Sequence, residues 1–319
     1  MKRVLSGIQP SGDLHLGNYF GAIRQWIALQ EQHECFYFLA DLHSLTTVRD
    51  PAELRKNTYE AAVTYLACGL DPNRSVIFRQ SDVPLHTELA WILATVTPMG
   101  LLERAHSYKD KTSKGISANV GLFTYPVLMA ADILMYQAHL VPVGKDQKQH
   151  VEITRDVAEK FHHEFGEAFT IPEPFIPEEV AVIPGVDGQK MSKSYHNTLP
   201  IFADEAALKK KVMGIVTDSA EVAEKKEPEG NTIYELYQLV APKKAPEMAE
   251  KFRAGGYGYG DAKKELLTGL LEFLHPIWEA RKKIEMREDY VEEVLQDGAS
   301  KARAEAEKTM EKVRELVGM

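Results

Sequence analysis

The chain has 319 residues, of which 44% are hydrophobic and 27% are charged, and its formal net charge is −9. This length suffices for one large or two ordinary domains, and the negative charge argues against a protein that coats nucleic acid non-specifically. Cys35 and Cys68 lie in apolar stretches, so we expect buried side chains; two cysteines exclude a disulfide framework. No Cys/His cluster has zinc or iron–sulfur spacing. The N-terminal apolar run is too short for a signal peptide and no segment is long enough to span a membrane, so we expect a cytoplasmic protein.

Strand and helix signals alternate over the first half of the chain. Short apolar runs predict strands at 3–6, 35–40, 75–78 and 140–143. Helical patterns lie between and after them, at 19–30, 50–69, 84–97, 127–136 and 147–165. The second helix has a clear start, with Asp50 as the capping residue and a proline directly after it. Strands that alternate with helices of this length predict βαβ units and a parallel sheet.

The regular pattern is interrupted twice. Residues 98–124 are less periodic and predict an inserted segment, and a proline-rich stretch at 172–184 resembles a linker. Beyond Ser194 the strand signals stop, and helices are predicted at 201–213, 232–240, 246–253, 262–274 and 300–317. We therefore predict a doubly wound parallel sheet of the Rossmann-like, HUP type over residues 1–192, followed by an all-helical domain over 193–319.

The turn after the first strand contains the run Gln9-Pro10-Ser11-Gly12-Asp13-Leu14-His15-Leu16-Gly17-Asn18. At the carboxyl end of a parallel strand such a turn faces the ligand crevice, and the next helix presents its unpaired N–H groups to a phosphate. Gly17 has no Cβ and permits close approach of a nucleotide, while His15 and Asn18 carry hydrogen-bond donors. The run predicts a nucleotide site, although a plain strand–helix turn capped by Asn18 explains it equally well.

A second run, Lys190-Met191-Ser192-Lys193-Ser194, follows the last predicted βα unit. Two lysines on a small loop can close on a triphosphate and neutralise the charge that builds on leaving pyrophosphate. A solvated basic turn is the alternative interpretation. The two runs together are far more specific than either one.

The pair resembles the signature motifs of the class I aminoacyl-tRNA synthetases, and longer blocks resemble the tryptophanyl-tRNA synthetase family over essentially the whole chain. These blocks are 6–12, 128–134, 141–150 and 216–219. The resemblance implies ATP-dependent activation of L-tryptophan, with Mg²⁺ carried by ATP, and transfer to tRNA(Trp). It also implies a homodimer, an anticodon-binding role for residues 193–319, and neither a protein-bound metal nor an iron–sulfur cluster.

Four side chains share one face of the helix predicted to end at Tyr136, namely Tyr125, Met129, Asp132 and Tyr136. Asp132 is the lone charge of that helix, and by itself it suggests a buried carboxylate with a structural partner. The resemblance instead makes Asp132 the acceptor of the indole N–H. It implies a tryptophan site formed by Asp132, Tyr125, Met129, His43, Gln147, Val141, Val143 and Leu5.

The resemblance also implies catalytic roles for His15, Asn18, Lys190 and Lys193. It implies an ATP site at Gln9, Pro10, Ser11, Gly17, Asn18, Lys111, Gly144, Lys145, Asp146, Ile183, Lys190, Met191, Ser192, Lys193 and Ser194. From the residues alone, Asp146 is equally a helix cap, Lys111 a solvated loop residue, and His43 an ordinary core or surface histidine.

Three other functions stay open at this point. A tyrosyl-tRNA synthetase shares the fold and both signatures, but its pocket must serve a phenol hydroxyl. A small-molecule nucleotidyltransferase would not need the long helical region after Ser194. A non-catalytic RNA-binding or regulatory paralogue is the third, and the intact 190–194 run and Asp132 argue against it.

Overall fold

The computed structural model describes residues 1–105, 119–144, 147–176, 182–287 and 289–319. Its centre is a sheet of five strands in the order β3-β2-β1-β4-β5, and all neighbouring pairs are parallel. The strands are β1 (Arg3–Ile8), β2 (Glu34–Leu39), β3 (Ser75–Arg79), β4 (Leu140–Pro142) and β5 (Glu173–Phe175). The order reverses after β3, so the predicted doubly wound parallel sheet is confirmed.

Apolar side chains of the central strands point alternately to the two faces of the sheet. On β2, Cys35 and Tyr37 belong to one hydrophobic cluster, while Phe36 and Phe38 belong to another. Side chains alternate along a strand, and a strand buried on both faces reads as a continuous apolar run. Helices cover both faces for this reason.

The first half of the chain has eight α-helices among the described residues, and a π-helical turn at Tyr19–Ile23 joins the first two. They are α1 (Leu16–Asn18), α2 (Arg24–Leu29), α3 (Asp41–Ser44), α4 (Pro51–Ala67), α5 (Leu85–Val96), α6 (Met99–Glu103), α7 (Val120–Met135) and α8 (Lys148–Phe165). The predicted cap of α4 is present, since the Asp50 side chain accepts hydrogen bonds from the N–H groups of Ala52 and Glu53.

Two features of this half, the start of one helix and one edge strand, were predicted wrongly. The helix expected at 127–136 begins at Val120, because the Asn119 side chain caps it by accepting the Leu122 N–H. The proline-rich stretch read as a linker contains the edge strand β5, which pairs with β4 through Pro174 and its neighbours. Proline is tolerated on an edge strand because only one side of that strand is paired.

Five helices follow in the second half: α9 (Glu205–Met213), α10 (Thr232–Val240), α11 (Ala245–Ala254), α12 (Tyr259–Glu285) and α13 (Tyr290–Val317). In the described part of this half there is no strand, as predicted. The last two helices are much longer than the predicted 262–274 and 300–317. None of the helices in the described ranges has the length and hydrophobicity that crossing a bilayer requires.

Helix α13 returns to the sheet and covers β3. Gly298 lies so close to this strand that an added Cβ would be 1.8 Å from the Ile77 carbonyl oxygen. Three ion pairs tie the helix down, and each joins an arginine to a glutamate across at least 213 positions. They are Arg79–Glu292, Arg3–Glu305 and Arg314–Glu88. An otherwise open sheet edge is thereby protected.

Candidate active site

A cavity of about 450 Å³ opens at the carboxyl ends of β1, β2 and β4. This is where a doubly wound sheet binds its ligands. Ten of the residues predicted for the two substrates line it. They are Leu5, Gln9, His43, Tyr125, Met129, Asp132, Val141, Val143, Gly144 and Gln147.

Among the described residues that line the cavity, Asp132 is the one Asp, Glu, Lys or Arg, and it is 1% exposed. Its Oδ1 accepts hydrogen bonds from Gln80 Nε2 at 2.7 Å and His86 Nδ1 at 2.6 Å, and its Oδ2 accepts one from His43 Nε2 at 2.9 Å. Tyr136 lies behind this group, with its hydroxyl 2.8 Å from His86 Nε2. The structural partner that the sequence suggested for Asp132 therefore exists, and it is a set of three side chains.

These partners keep the carboxylate ionised. Burial alone raises the pKa of Asp132, but the hydrogen bonds from His43 and His86 outweigh it and bring the pKa to about 2. At neutral pH the cavity thus presents a negatively charged acceptor against apolar walls such as Met129 and Val141.

Sequence reasoning missed Gln80 and His86. Gln80 directly follows β3, and polar residues at the carboxyl ends of parallel strands meet at one edge, so this signal was available. His86 lies in the first turn of α5 and is fully buried. No spacing rule connects it to Asp132, which is 46 positions away.

The resemblance implied that His43 belongs to the tryptophan site. The structure places it on the cavity wall, where it donates a hydrogen bond to Asp132, the predicted acceptor of the indole N–H. The Tyr125 ring packs edge-on against His43, with the ring centroids 6.3 Å apart, and its hydroxyl bonds to His150 Nε2 at 2.5 Å.

The two signature runs lie in contact although they are far apart in the chain. The Gly17 N–H donates to Met191 Sδ at 3.3 Å, and Lys193 Nζ donates to the Gly12 carbonyl oxygen at 2.8 Å. An added Cβ at Gly17 would lie 2.9 Å from the His15 ring and 3.4 Å from Met191 Cβ, so a larger residue there would displace the His15 ring. The structure therefore brings the first turn and the lysine loop together on one side of the sheet.

Charge is poorly solvated where these runs meet. Burial and, secondarily, the positive charge of Lys193 lower the pKa of His15 to about 4. Burial lowers the pKa of Lys193, against the opposing effect of Asp13. Within the described ranges no group hydrogen-bonds to the buried His15 Nδ1. A neutral donor and an under-solvated cation side by side suit an anionic ligand.

Asn18 has a local partner, because its Oδ1 accepts the His15 backbone N–H at 3.0 Å. In this structure Asn18 therefore acts as a local cap of the turn, which was the alternative interpretation. Its predicted contact with phosphate stays a prediction.

Asn197 holds the lysine loop in shape. Its Oδ1 accepts the Ser192 N–H at 2.8 Å, and its Nδ2 donates to the Lys190 carbonyl at 3.1 Å and to Asp187 Oδ1 at 2.7 Å. The side chain is 2% exposed. Sequence reasoning did not single out this residue.

The remaining predicted ATP residues divide into three groups. Ile183 lies against the loop and accepts the Met191 N–H at 2.8 Å, and the hydroxyls of Ser192 and Ser194 bond to each other. Pro10 and Ser11 lie in the first turn. Lys111, Lys145 and Asp146 lie outside the described residues. Over the described part of the chain, no three His, Cys, Asp or Glu side chains cluster as metal ligands would.

Comparison with known proteins agrees with this geometry. The family described as class I tRNA synthetases (W and Y) matches residues 1–275. A tryptophan–tRNA ligase of Fusobacterium nucleatum is 54% identical over 100% of this chain and 98% of its own, and one of Rhodopirellula baltica is 52% identical over 99% of each. The crystal structure of Campylobacter jejuni tryptophanyl-tRNA synthetase with ADP and tryptophan superposes with a TM-score of 0.93 at 48% identity, covering 99% of this chain and 100% of that one.

Proposed function

Because the chain belongs to the class I tRNA synthetases for tryptophan and tyrosine, we propose that it joins L-tryptophan to tRNA(Trp) at the expense of ATP. It is an aminoacyl-tRNA ligase, and the reaction has two steps. A tryptophan carboxylate oxygen attacks the α-phosphorus of ATP, and pyrophosphate leaves. A ribose hydroxyl at the end of the tRNA then attacks the activated carbonyl carbon, and AMP leaves.

One observation carries the choice of tryptophan: a buried, ionised carboxylate facing an apolar cavity. Indole offers one N–H donor and a large apolar body. Asp132 supplies the acceptor, and Leu5, Met129, Val141 and Val143 supply the walls. A buried acceptor rejects substrates that lack the donor, by a factor on the order of 10⁴ in a related system.

We assign the phosphates to the contact between the two signature runs. His15 and Asn18 face the triphosphate from the first turn, and Lys190 and Lys193 face it from the lysine loop. Nothing in this chemistry requires a covalent enzyme intermediate, so catalysis rests on positioning and on charge stabilisation. We expect Mg²⁺ to enter with ATP, since phosphate oxygens are its preferred ligands.

We assign residues 1–192 to the catalytic domain and 193–319 to tRNA anticodon binding. The change to helices alone after residue 200 supports this division. Helix α13 connects the two domains, because it forms ion pairs with arginines of β1 and β3.

We also propose a homodimer. Large apolar side chains are exposed on the packed helices α5, α6 and α7, with Trp91 at 75%, Met99 at 63% and Val120 at 78% exposure. Exposed apolar side chains on helices that pack together support an association surface here. Sedimentation of the purified chain tests this: a species of twice the 35.9 kDa chain mass is expected, and a monomer at micromolar concentration would contradict it.

Amino-acid-dependent exchange of pyrophosphate into ATP, measured with each of the twenty amino acids, tests the function. We expect exchange with tryptophan to exceed that with tyrosine by several orders of magnitude. Tyrosine-driven exchange would make the chain a tyrosyl enzyme, and no exchange with any amino acid would make it a non-catalytic paralogue.

A further inference from the structure

The two oxygens of Asp132 have different surroundings. Oδ1 has two donors, Gln80 Nε2 and His86 Nδ1, at 2.7 and 2.6 Å. Oδ2 has one donor, His43 Nε2, at 2.9 Å. A carboxylate oxygen has about two lone-pair sites, so Oδ1 is saturated and Oδ2 retains one acceptor site.

The exposure of the partners follows the same division. Gln80 and His86 are both 0% exposed and do not line the cavity, within the part of the chain described, whereas His43 lines it and its side chain is 14% exposed. The saturated oxygen therefore faces the interior, and the unsaturated oxygen lies on the side of His43 and the cavity.

On the basis of the function proposed above, we propose that His86 and Gln80 are positioning residues that set tryptophan specificity. They occupy Oδ1 and leave Oδ2 as the one oxygen available to the indole N–H. Neither residue touches the substrate, and both act through Asp132.

The orientation of His86 is itself determined by Tyr136. An ionised carboxylate only accepts, so the His86 nitrogen that faces it, Nδ1, carries a proton. On the other side of the ring, Nε2 lies 2.8 Å from the Tyr136 hydroxyl. The ring is also packed among Phe38, Phe78 and Tyr136, with centroid distances of 5.5 to 6.2 Å. The contact with Tyr136 and the surrounding rings thus hold the His86 ring with Nδ1 directed at Asp132.

A purely structural role for His86 makes a different prediction. If His86 only satisfied a buried charge, its loss would weaken all substrates alike. If it positions Oδ2, its loss reduces the advantage of substrates that have an indole N–H. The useful quantity is therefore the ratio of kcat/KM for L-tryptophan to kcat/KM for β-(benzothiophen-3-yl)alanine, in which sulfur replaces the N–H in a ring of nearly the same shape.

Two substitutions at His86 separate its two hydrogen bonds. The amide nitrogen of His86→Asn can take the place of Nδ1 and keep the donor to Asp132. The amide of His86→Gln reaches the Nε2 position and keeps only the contact with Tyr136. Pyrophosphate exchange with both amino acids is measured for each variant and for the wild type, with thermal unfolding to establish that each variant is folded.

We expect the ratio to fall roughly 10-fold or more in His86→Gln and to stay within about 3-fold of wild type in His86→Asn, as loss of one hydrogen bond to a charged group implies. A wild-type ratio in folded His86→Gln, with both substrates weakened equally, would overturn the proposal.

Gln80→Met is a second variant that removes one donor to Oδ1 and keeps the side-chain length. Gln80 Oε1 has no hydrogen-bond partner in the described structure, so little else is lost. We expect the ratio to fall here as well. If His86→Gln does not fold, the Gln80→Met ratio alone decides, and an unchanged value overturns the proposal. Absence of tryptophan-driven exchange in the wild type would instead refute the proposed function.

Discussion

Replacing Lys193 by alanine tests the assignment of the lysine loop to the transition state. In this structure Lys193 Nζ donates to the Gly12 carbonyl oxygen at 2.8 Å. Binding of ATP therefore exchanges one partner for another and gains little, whereas negative charge that builds on the leaving pyrophosphate strengthens the new contact. Removing a single preorganised donor of this kind costs about 3 to 4 kcal/mol in the transition state.

This figure corresponds to a fall of about 10²- to 10³-fold in the rate of adenylate formation. The KM for ATP should change less than about 5-fold, because the ground-state contact replaces an existing hydrogen bond worth only about 1 kcal/mol net. Rapid-quench measurement of adenylate in a single turnover gives the rate, and pyrophosphate exchange gives the KM.

Lys211→Ala is the matched control. Lys211 Nζ also donates to a main-chain carbonyl, that of Thr198, at 2.9 Å, but it lies in α9 and belongs to neither signature run. We expect wild-type adenylation from it. Equal losses in the two variants, or a Lys193→Ala variant that forms adenylate at the wild-type rate, would refute the reasoning. A second readout is the pKa of His15, which should rise in Lys193→Ala because the lysine charge lowers it.

Three further predictions concern stability and the loop. Folding lowers the pKa of His15 from 6.5 to about 4, so between these values the unfolded chain binds more protons than the folded chain. The free energy of unfolding therefore decreases as the pH is lowered from 6.5 to 4, by at most about 3 kcal/mol. Urea titrations should show a shallower pH dependence of this free energy in His15→Asn. Gly298→Ala should lower the free energy of unfolding by about 3 kcal/mol, since the new Cβ would meet the main chain of β3. Gly260→Ala should leave it unchanged, because no atom lies within 4 Å of its new Cβ. Equal urea midpoints for the two variants would contradict this prediction. Asn197→Ala should slow adenylation roughly 10-fold with little change in the KM for tryptophan, and a wild-type exchange rate would show that the loop does not depend on Asn197.

Local patterns predicted much of the fold. The continuous apolar run at 35–40 predicted a buried strand, and the Asp50 cap predicted the start of α4. Both depend on neighbours within a few positions, and both are present. The edge strand β5 was missed because its prolines resemble a linker, and only its pairing with β4 reveals it.

Part of the candidate site was accessible in the same way. The glycine-containing turn and the lysine loop are recognisable from their residue types, and Asp132 stood out as a lone charge. The contact of His86 with Asp132 was not accessible, since His86 precedes Asp132 by 46 positions, whereas the position of Gln80 directly after β3 was an available signal that was missed. A hydrogen bond between such distant residues leaves no periodic trace in either segment.

The sequence by itself thus determined the type of most elements and the edge of the sheet at which ligands bind, because these follow from short-range sterics and from side-chain alternation, and resemblance identified the two signature runs. Tertiary structure decided the rest: that Lys193 reaches Gly12, that α13 covers β3, and that one oxygen of Asp132 is saturated while the other has an open acceptor site. These features depend on the packing of distant segments, in which the burial of a charge and the supply of its donors are settled together.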